Sequence, residues 1–566
     1  MVLIKPSHYD DDGYVIQWFR SAVPSNTLAA LYGLSKDLTD RKVLGEDVEI
    51  ITTAFDETNT RIPIKKIIGQ IKSANAGGLV GFAGVQSNQF PRTMDMATRF
   101  RDAGIQVCIG GFHVSGCLAM LPKLPDDLQK AQDMGISLFA GEAEGRLGDV
   151  FQDAYAGKMK PLYNYMSDLP AIESQPTPFL PARLLRRSMG SSTSFDAGRG
   201  CPFLCSFCTI INVQGRKSRR RSADDVERLV RENASQGITR FFITDDNFAR
   251  NRDWEDIFDR LIMMREKGIH IRLTIQVDTM CHRIPRFVEK AGKAGVSRVF
   301  IGLENINPES LQGAQKKQNK ITEYRKMMQA WRSTGAVTCA GYILGFPTDT
   351  PESIVRDIKI IQRELPVDLL EFFFLTPLPG SQDHKELYEK GEWMDPDMNK
   401  YDLNHVTCKH PGMSKEAWER AYQLAWETYF TAEHMETIMK RAYTDDIGIS
   451  KVMFLTWWFY YCIKYEGVHP LEGGIFRRKY RLDRRSGLPI ESPFIFYPRR
   501  VTEFIRNHAK LLPLSWKNSR ICKNIKTAPK GKDYSDIALS PVTEAENDDD
   551  SLELLTQRQA ATSASA

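Results

Sequence analysis

The chain reads as an α/β protein in three parts: a doubly wound parallel sheet, a partial barrel of six β/α units, and a mostly helical C-terminal region. Three observations predict this. Short apolar runs alternate with helical stretches over the first ~160 residues. The alternation restarts near residue 194, with strands roughly 30 to 40 residues apart, the length of one strand plus one helix. Beyond residue 400 the strand pattern stops and aromatic-rich helical spacing takes over.

In the first part, residues 1–160, the strands are expected at Met1–Lys5, Asp47–Thr53, Gly78–Gly84, Ile105–Ile109 and Ile136–Phe139, with helices between them such as Ile64–Lys72 and Met94–Ala103. A sheet wound in that order binds ligands at the carboxyl ends of its strands. Two glycine loops fall there, Gly110–Gly116 and Gly141–Gly145. Glycine lets the backbone approach a flat or phosphate-bearing ligand closely, although loops after strands are often glycine-rich for other reasons.

Residues 161–192 read as a linker, because Pro170, Pro176, Pro178 and Pro181 interrupt regular structure. The barrel, residues 193–400, is expected to place strands at Ser194–Ala197, Phe241–Thr244, Ile271–Gln276, Val299–Gly302, Thr338–Leu344 and Leu370–Leu375. Its chemistry should gather at the carboxyl ends. Those ends carry Asp245–Phe248, Asp278, Glu304–Asn305, Gly345–Asp349 and Thr376–Gly380. An acidic residue there can serve a ligand or cap the next helix.

Residues 401–529 should be helical, with one long helix over Ser414–Ala442 and a buried aromatic one over Val452–Ile463. The basic stretch Arg477–Arg485 and the apolar run Leu488–Tyr497 follow. Together with the aromatics they suit anionic lipid headgroups, or equally a core helix trailed by a solvated charged loop. Residues 530–566, rich in Ser, Thr and Ala, read as a disordered tail.

Composition narrows the class. With 566 residues, 42% hydrophobic and 26% charged, the chain has the balance of a globular protein. A net charge of +5 is too small to argue for nucleic acid. No apolar run reaches the ~20 residues that span a bilayer. A cytoplasmic protein is expected, with peripheral membrane contact as an open alternative.

The most informative motif is the run Arg199–Thr209, which sets Cys201, Cys205 and Cys208 in a C-x3-C-x2-C spacing. Three thiolates on one loop suit a [4Fe–4S] cluster whose fourth iron has no protein ligand. Zinc and plain burial are the alternatives. Zinc commonly needs a second C-x2-C pair, and the other seven cysteines are scattered. Sparse cysteine also argues against a disulfide framework.

On these residues the chain resembles the radical S-adenosylmethionine (SAM) superfamily, and with the glycine loops ahead of the barrel it is similar to the branch with a Rossmann-like cobalamin-binding domain. The resemblance implies that Cys201, Cys205 and Cys208 hold the cluster. It implies that Asp246 takes the methionine ammonium of SAM, that Glu304 takes a ribose hydroxyl, and that Gly345, Phe346 and Pro347 lie against the adenine. It further implies that Gly110, Gly111, His113, Ser115, Gly141 and Glu142 line a cobalamin pocket. Many such domains carry D-x-H-x-x-G after the first strand. Here the loop is Pro6–Asp11 without that Asp or Gly, so His8 is not expected to ligate cobalt.

The implied activity is reductive cleavage of SAM to a 5′-deoxyadenosyl radical and C-methylation of an unactivated carbon. Oxidative cyclisation or rearrangement, as in the anaerobic magnesium-protoporphyrin ester cyclase branch, is the alternative reaction. A sensor or an iron–sulfur electron carrier is the non-enzymatic alternative. The implied partners are a flavodoxin- or ferredoxin-type electron donor and a small-molecule or lipid substrate.

Overall fold

Two six-stranded parallel sheets carry the molecule. The computed structural model describes residues 1–74, 77–316, 319, 323–474, 476–528 and 531–542. In the first sheet the strands are β1 (Val2–Lys5), β2 (Thr53–Asp56), β3 (Leu79–Phe82), β4 (Gln106–Gly110), β5 (Ser137–Ala140) and β6 (Leu162–Asn164), in the order β2-β1-β3-β4-β5-β6. Helices cover both faces, so β3 and β5 are buried at every residue and read as continuous small or apolar runs. The strand order reverses at β1 and β3, which opens a crevice at their carboxyl ends.

Three details differ from the sequence expectation. The stretch 47–53 is not a strand: pairing begins only where Thr53 meets Val2, and Ile51 before it is exposed. Strand β6 joins the first sheet beside β5, so that sheet runs into the residues assigned to the linker. Helix α1 (Asn26–Asp40), not singled out from sequence, is capped by Ser25, whose hydroxyl accepts from Leu28 N at 3.2 Å.

The second sheet runs β7 (Ser192–Phe195), β8 (Arg240–Ile243), β9 (Arg272–Val277), β10 (Val296–Glu304), β11 (Val337–Leu344) and β12 (Leu369–Phe374), each paired in parallel with the next. The six expected strands are all present, each shifted by three residues or fewer at its start. β7 and β12 remain the two edges of a half-barrel.

The C-terminal helices share the barrel's core. Trp418, Trp426, Tyr429 and Phe430 pack with Phe372 and Phe374 in one buried cluster. The long helix expected over 414–442 is two, α2 (Lys415–Tyr429) and α3 (Ala432–Thr444). Thr431 breaks it by capping the second, its hydroxyl accepting from His434 N at 3.1 Å. The aromatic run lies on α4 (Ile449–Tyr461), with Trp457 and Phe459 buried. A final helix, α5 (Pro493–Thr527), continues through Pro498 and Pro513.

Part of the expected tail is packed. Arg441 Nε donates to Asp536 at 2.8 Å, and Gln329 donates to the carbonyls of Ala538 and Ser540. Residues 543–566 lie outside the described residues.

Candidate active site

The cysteines sit on a loop closed at its base by a two-residue ribbon, in which Gly198–Arg199 pairs antiparallel with Arg219–Arg220. Gly200 has a φ of 89°, and a Cβ there would come within 2.5 Å of the Lys217 carbonyl oxygen. Only glycine fits this turn. Cys201 N donates to Gly215 O at 3.2 Å and Cys208 N to Cys205 O at 3.1 Å, which curls the three cysteines together.

Burial pushes the Cys201 thiol up to about 11 and the Cys208 thiol up to about 12, with the charges of Cys205 and Asp246 adding to the rise. The backbone N–H groups of Phe203 and Ile210 act the other way, one on each sulfur. Three thiols on one loop, close enough for their charges to act on one another and with amides aimed at the Cys201 and Cys208 sulfurs, are a donor set suited to a bound metal cluster. The residues therefore fit an iron–sulfur cluster.

Around this loop stand the carboxyl ends of β8 to β12. Asp245 is a structural group: its Oδ1 accepts from Ala197 N and Gly198 N at 2.7 and 2.8 Å, and its Oδ2 from Asn251. Asp246 makes no hydrogen bond to another residue among those described, and burial raises its carboxyl to about 7. Its charge acts on both Cys201 and Cys208. Asp278 is engaged, held by both arms of Arg250 and by Asn247.

Glu304 is not open either. Its φ of 63° follows a register shift in β10 and folds the carboxylate back over Gly302, where it pairs with Lys316. Lys316 also donates to Gly302 O at 3.1 Å and lies 5.9 Å above the Phe207 ring of the cysteine loop.

The Gly345–Asp349 loop is shaped from behind. Asp349 Oδ2 accepts from Gly345 N at 2.8 Å and Phe346 N at 3.0 Å, and the Phe346 carbonyl accepts from His410 Nε2 at 2.9 Å. Gly345 has a φ of 101°, and a Cβ there would sit 1.9 Å from the Trp418 indole. The side of Gly345 on which a Cβ would stand is filled by Trp418. Phe346 is buried with its ring 6.3 Å from Phe207, edge to face, while Pro347 is exposed. Phe207, which sequence reasoning passed over, joins the cysteine loop to the Gly345 loop.

On the first sheet, the crevice at the carboxyl ends of β1, β3, β4 and β5 runs back beneath α1 as an apolar slot. Leu3, Leu31, Leu34, Leu79, Cys108 and Phe139 are among its walls, and Gly81, Gly110, Gly111, Ser115, Gly141 and Glu142 lie along it. Its mouth reaches Val213 and Gln214, just past the last cluster cysteine. A narrow apolar slot opening on a glycine-lined rim is a shape that admits a flat ring with a tail.

His113 does not line it. The ring is buried, with Nδ1 3.1 Å from Ser87 Oγ and Nε2 2.9 Å from Asp127, so both nitrogens are committed within the domain. His8, 3.0 Å from Glu472, is likewise engaged elsewhere.

Glu142 has a second task besides lying along the slot. Arg199, the residue before the cysteine loop, reaches Glu142 at 2.5 Å, Glu144 at 2.6 Å and Asp196 at 2.9 Å; Arg219 across the ribbon also pairs with Glu142. The Gly141–Gly145 loop of the first sheet is thereby clamped to the base of the cysteine loop. The spacing of these charges in the chain, 57 residues from Arg199 to Glu142, carries no local signal of the pairing.

Residues 197–361 match the model of the Radical SAM superfamily, so the half-barrel with its three-cysteine loop defines a radical SAM enzyme, which implies a [4Fe–4S] cluster and SAM. Bacteriochlorophyllide d C-8(2)-methyltransferase of Chlorobaculum tepidum is 25% identical over 336 residues, 56% of this chain and 70% of that protein. Hopanoid C-2 methylase of Rhodopseudomonas palustris is 22% identical over 334 residues, 58% of this chain and 61% of that protein.

Among solved structures, the radical SAM methyltransferase TsrM of Kitasatospora setae, with cobalamin and a [4Fe–4S] cluster bound, superposes with a TM-score of 0.57 at 17% identity, over 77% of this chain and 89% of that one. The cobalamin-dependent radical SAM enzyme OxsB does so with a TM-score of 0.52 at 12% identity, over 96% and 83%. The chain shares their fold and, at a distance, resembles methyltransferases in sequence.

Proposed function

We propose that this protein is a cobalamin-dependent radical SAM methyltransferase acting on an unactivated carbon of a large apolar ring system. The observation that carries the reading is the apolar slot at the β1/β3 crevice, whose mouth meets the residues directly after the cluster cysteines. When bound, the cluster supplies the electron that cleaves SAM and cobalamin supplies a methyl carrier. The chain's own part is placement. Cys201, Cys205 and Cys208 hold the iron; Asp246 offers an acceptor to the SAM ammonium; Phe207 and Phe346 form an aromatic wall for the adenine. Gly110, Gly111, Ser115 and Gly141 form the rim for cobalamin. The substrate class is drawn from the relatives, which are named for a bacteriochlorophyllide and a hopanoid.

The test is anaerobic reconstitution with iron, sulfide and hydroxocobalamin, followed by desalting and an optical spectrum. Cobalamin retained beside the cluster band is the expected result, with methyl-deuterated SAM then labelling the product. Protein that keeps its cluster but washes free of cobalamin would overturn the reading.

A further inference from the structure

Helix α5 has two apolar faces. The inner one packs on α3, α4 and the turn after it through Leu514, Cys522 and Ile525, and on Tyr14 through Phe496. The outer one faces solvent: Phe494 is 89% exposed, Leu512 70%, Trp516 66%, Ile505 61%, Tyr497 58% and Val501 57%. At 3.6 residues per turn these six fall on one stripe roughly 100° wide. A continuous exposed stripe of large side chains marks a surface that something covers.

The charges beside the stripe identify what covers it. From 493 to 527 the chain has eight Lys and Arg and one carboxylate, Glu503. Arg506, Lys517, Arg520 and Lys523 form no ion pair among the described residues, and Arg520 lies 5.5 Å over the Trp516 ring. Self-association through this face would set two strongly cationic helices side by side. An anionic surface instead neutralises them. No helix of the described residues is long and apolar enough to cross a membrane, so the geometry is that of a helix lying in the interface.

We propose that the outer face of α5 docks the protein on anionic phospholipid bilayers, with Phe494, Ile505, Leu512 and Trp516 in the acyl boundary and the flanking cations on the headgroups. This stands independently of the cofactor chemistry. Of the residues that sequence suggested for membrane contact it keeps only the end of the run Leu488–Tyr497, with Phe494 and Tyr497. Trp457 and Phe459 belong to the core, and Arg477, Lys479 and Arg485 are spent on Asp10, Asp12 and Asp397.

The experiment is cosedimentation of the full chain with phosphatidylcholine vesicles, with and without phosphatidylglycerol. Binding is expected to the anionic vesicles and to fall about tenfold or more in high salt or without phosphatidylglycerol. Two variants, Val501→Ser/Ile505→Ser/Leu512→Ser and Lys517→Glu/Arg520→Glu/Lys523→Glu, should each lose at least about tenfold in vesicle affinity while keeping wild-type circular dichroism and iron content. Wild-type protein that stays in the supernatant with anionic vesicles would overturn the proposal. So would undiminished binding by the serine variant, or a solution dimer that the serine variant dissociates in protein that does not bind vesicles.

Discussion

Asp246 is the acidic residue at the strand ends with the fewest commitments, and its neighbours show why that matters. Asp245 is held by two backbone amides and Asn251, Asp278 by Arg250 and Asn247, and Glu304 by Lys316. Burial keeps Asp246 protonated up to about pH 7. A cationic ligand pairs with the carboxylate and must expel that proton. Binding of SAM through its ammonium should therefore tighten about tenfold between pH 6 and pH 8 and level off above. Asp246→Asn should weaken binding and flatten the dependence, as measured by calorimetric titration of the cluster-loaded protein. An unchanged pH profile in that variant would remove Asp246 from the site.

At this scale the sequence was legible where chemistry is local. Three cysteines within eight residues need no tertiary information to be read together. Glu142, Glu304 and His113 were harder, because their partners Arg199, Lys316 and Asp127 come from other loops and decide whether each side chain is open or engaged.

Among elements, the Gly345 loop shows how a helix from the C-terminal region governs a barrel loop. Trp418 of α2 donates its indole N–H to Leu344 O at 3.3 Å and occupies the space where a side chain at 345 would go. Gly345→Ala meets both a left-handed backbone and an indole wall. The expected loss is about 2–4 kcal/mol of unfolding free energy, measured by denaturant titration. Trp418→Ala has its own cost as a large-to-small core change, but the double variant should lose less than the sum of the two, because the second change removes the obstacle to the first. Full additivity would show that the overlap is relieved in some other way.

The strands of the half-barrel could be read from sequence because β11 and β12 are nearly continuous buried apolar runs, while β8, β9 and β10 alternate buried with more exposed residues. Helix α5 falls inside the stretch expected to be helical, residues 401–529, but was not singled out there, and Pro498 and Pro513 lie within it. The split of α2 from α3 was signalled only by a single capping threonine.

For the molecule as a whole, the two sheets are joined by an ion-pair cluster centred on Arg199, with Arg219 beside it. Arg199 is nearly inaccessible and serves carboxylates from both sides, Asp196 on the barrel and Glu142 and Glu144 on the first domain. Arg199→Met would leave Glu144 without its cation and remove one of two from Glu142 and Asp196, which keep Arg219 and Arg221. The expected cost is about 3–5 kcal/mol, seen in chemical denaturation. Changing Glu142 and Glu144 to glutamine in the same chain should recover part of it. A loss below about 1 kcal/mol would mean that water already screens the cluster.

That clamp has a thermodynamic consequence. Arg199 is joined by the backbone to the loop that holds the metal and by ion pairs to the rim of the other cavity. Occupancy at either place that stiffens this shared arginine lowers the ordering cost at the other. Whatever factor one occupant contributes to its neighbour's affinity, the neighbour must return in equal measure.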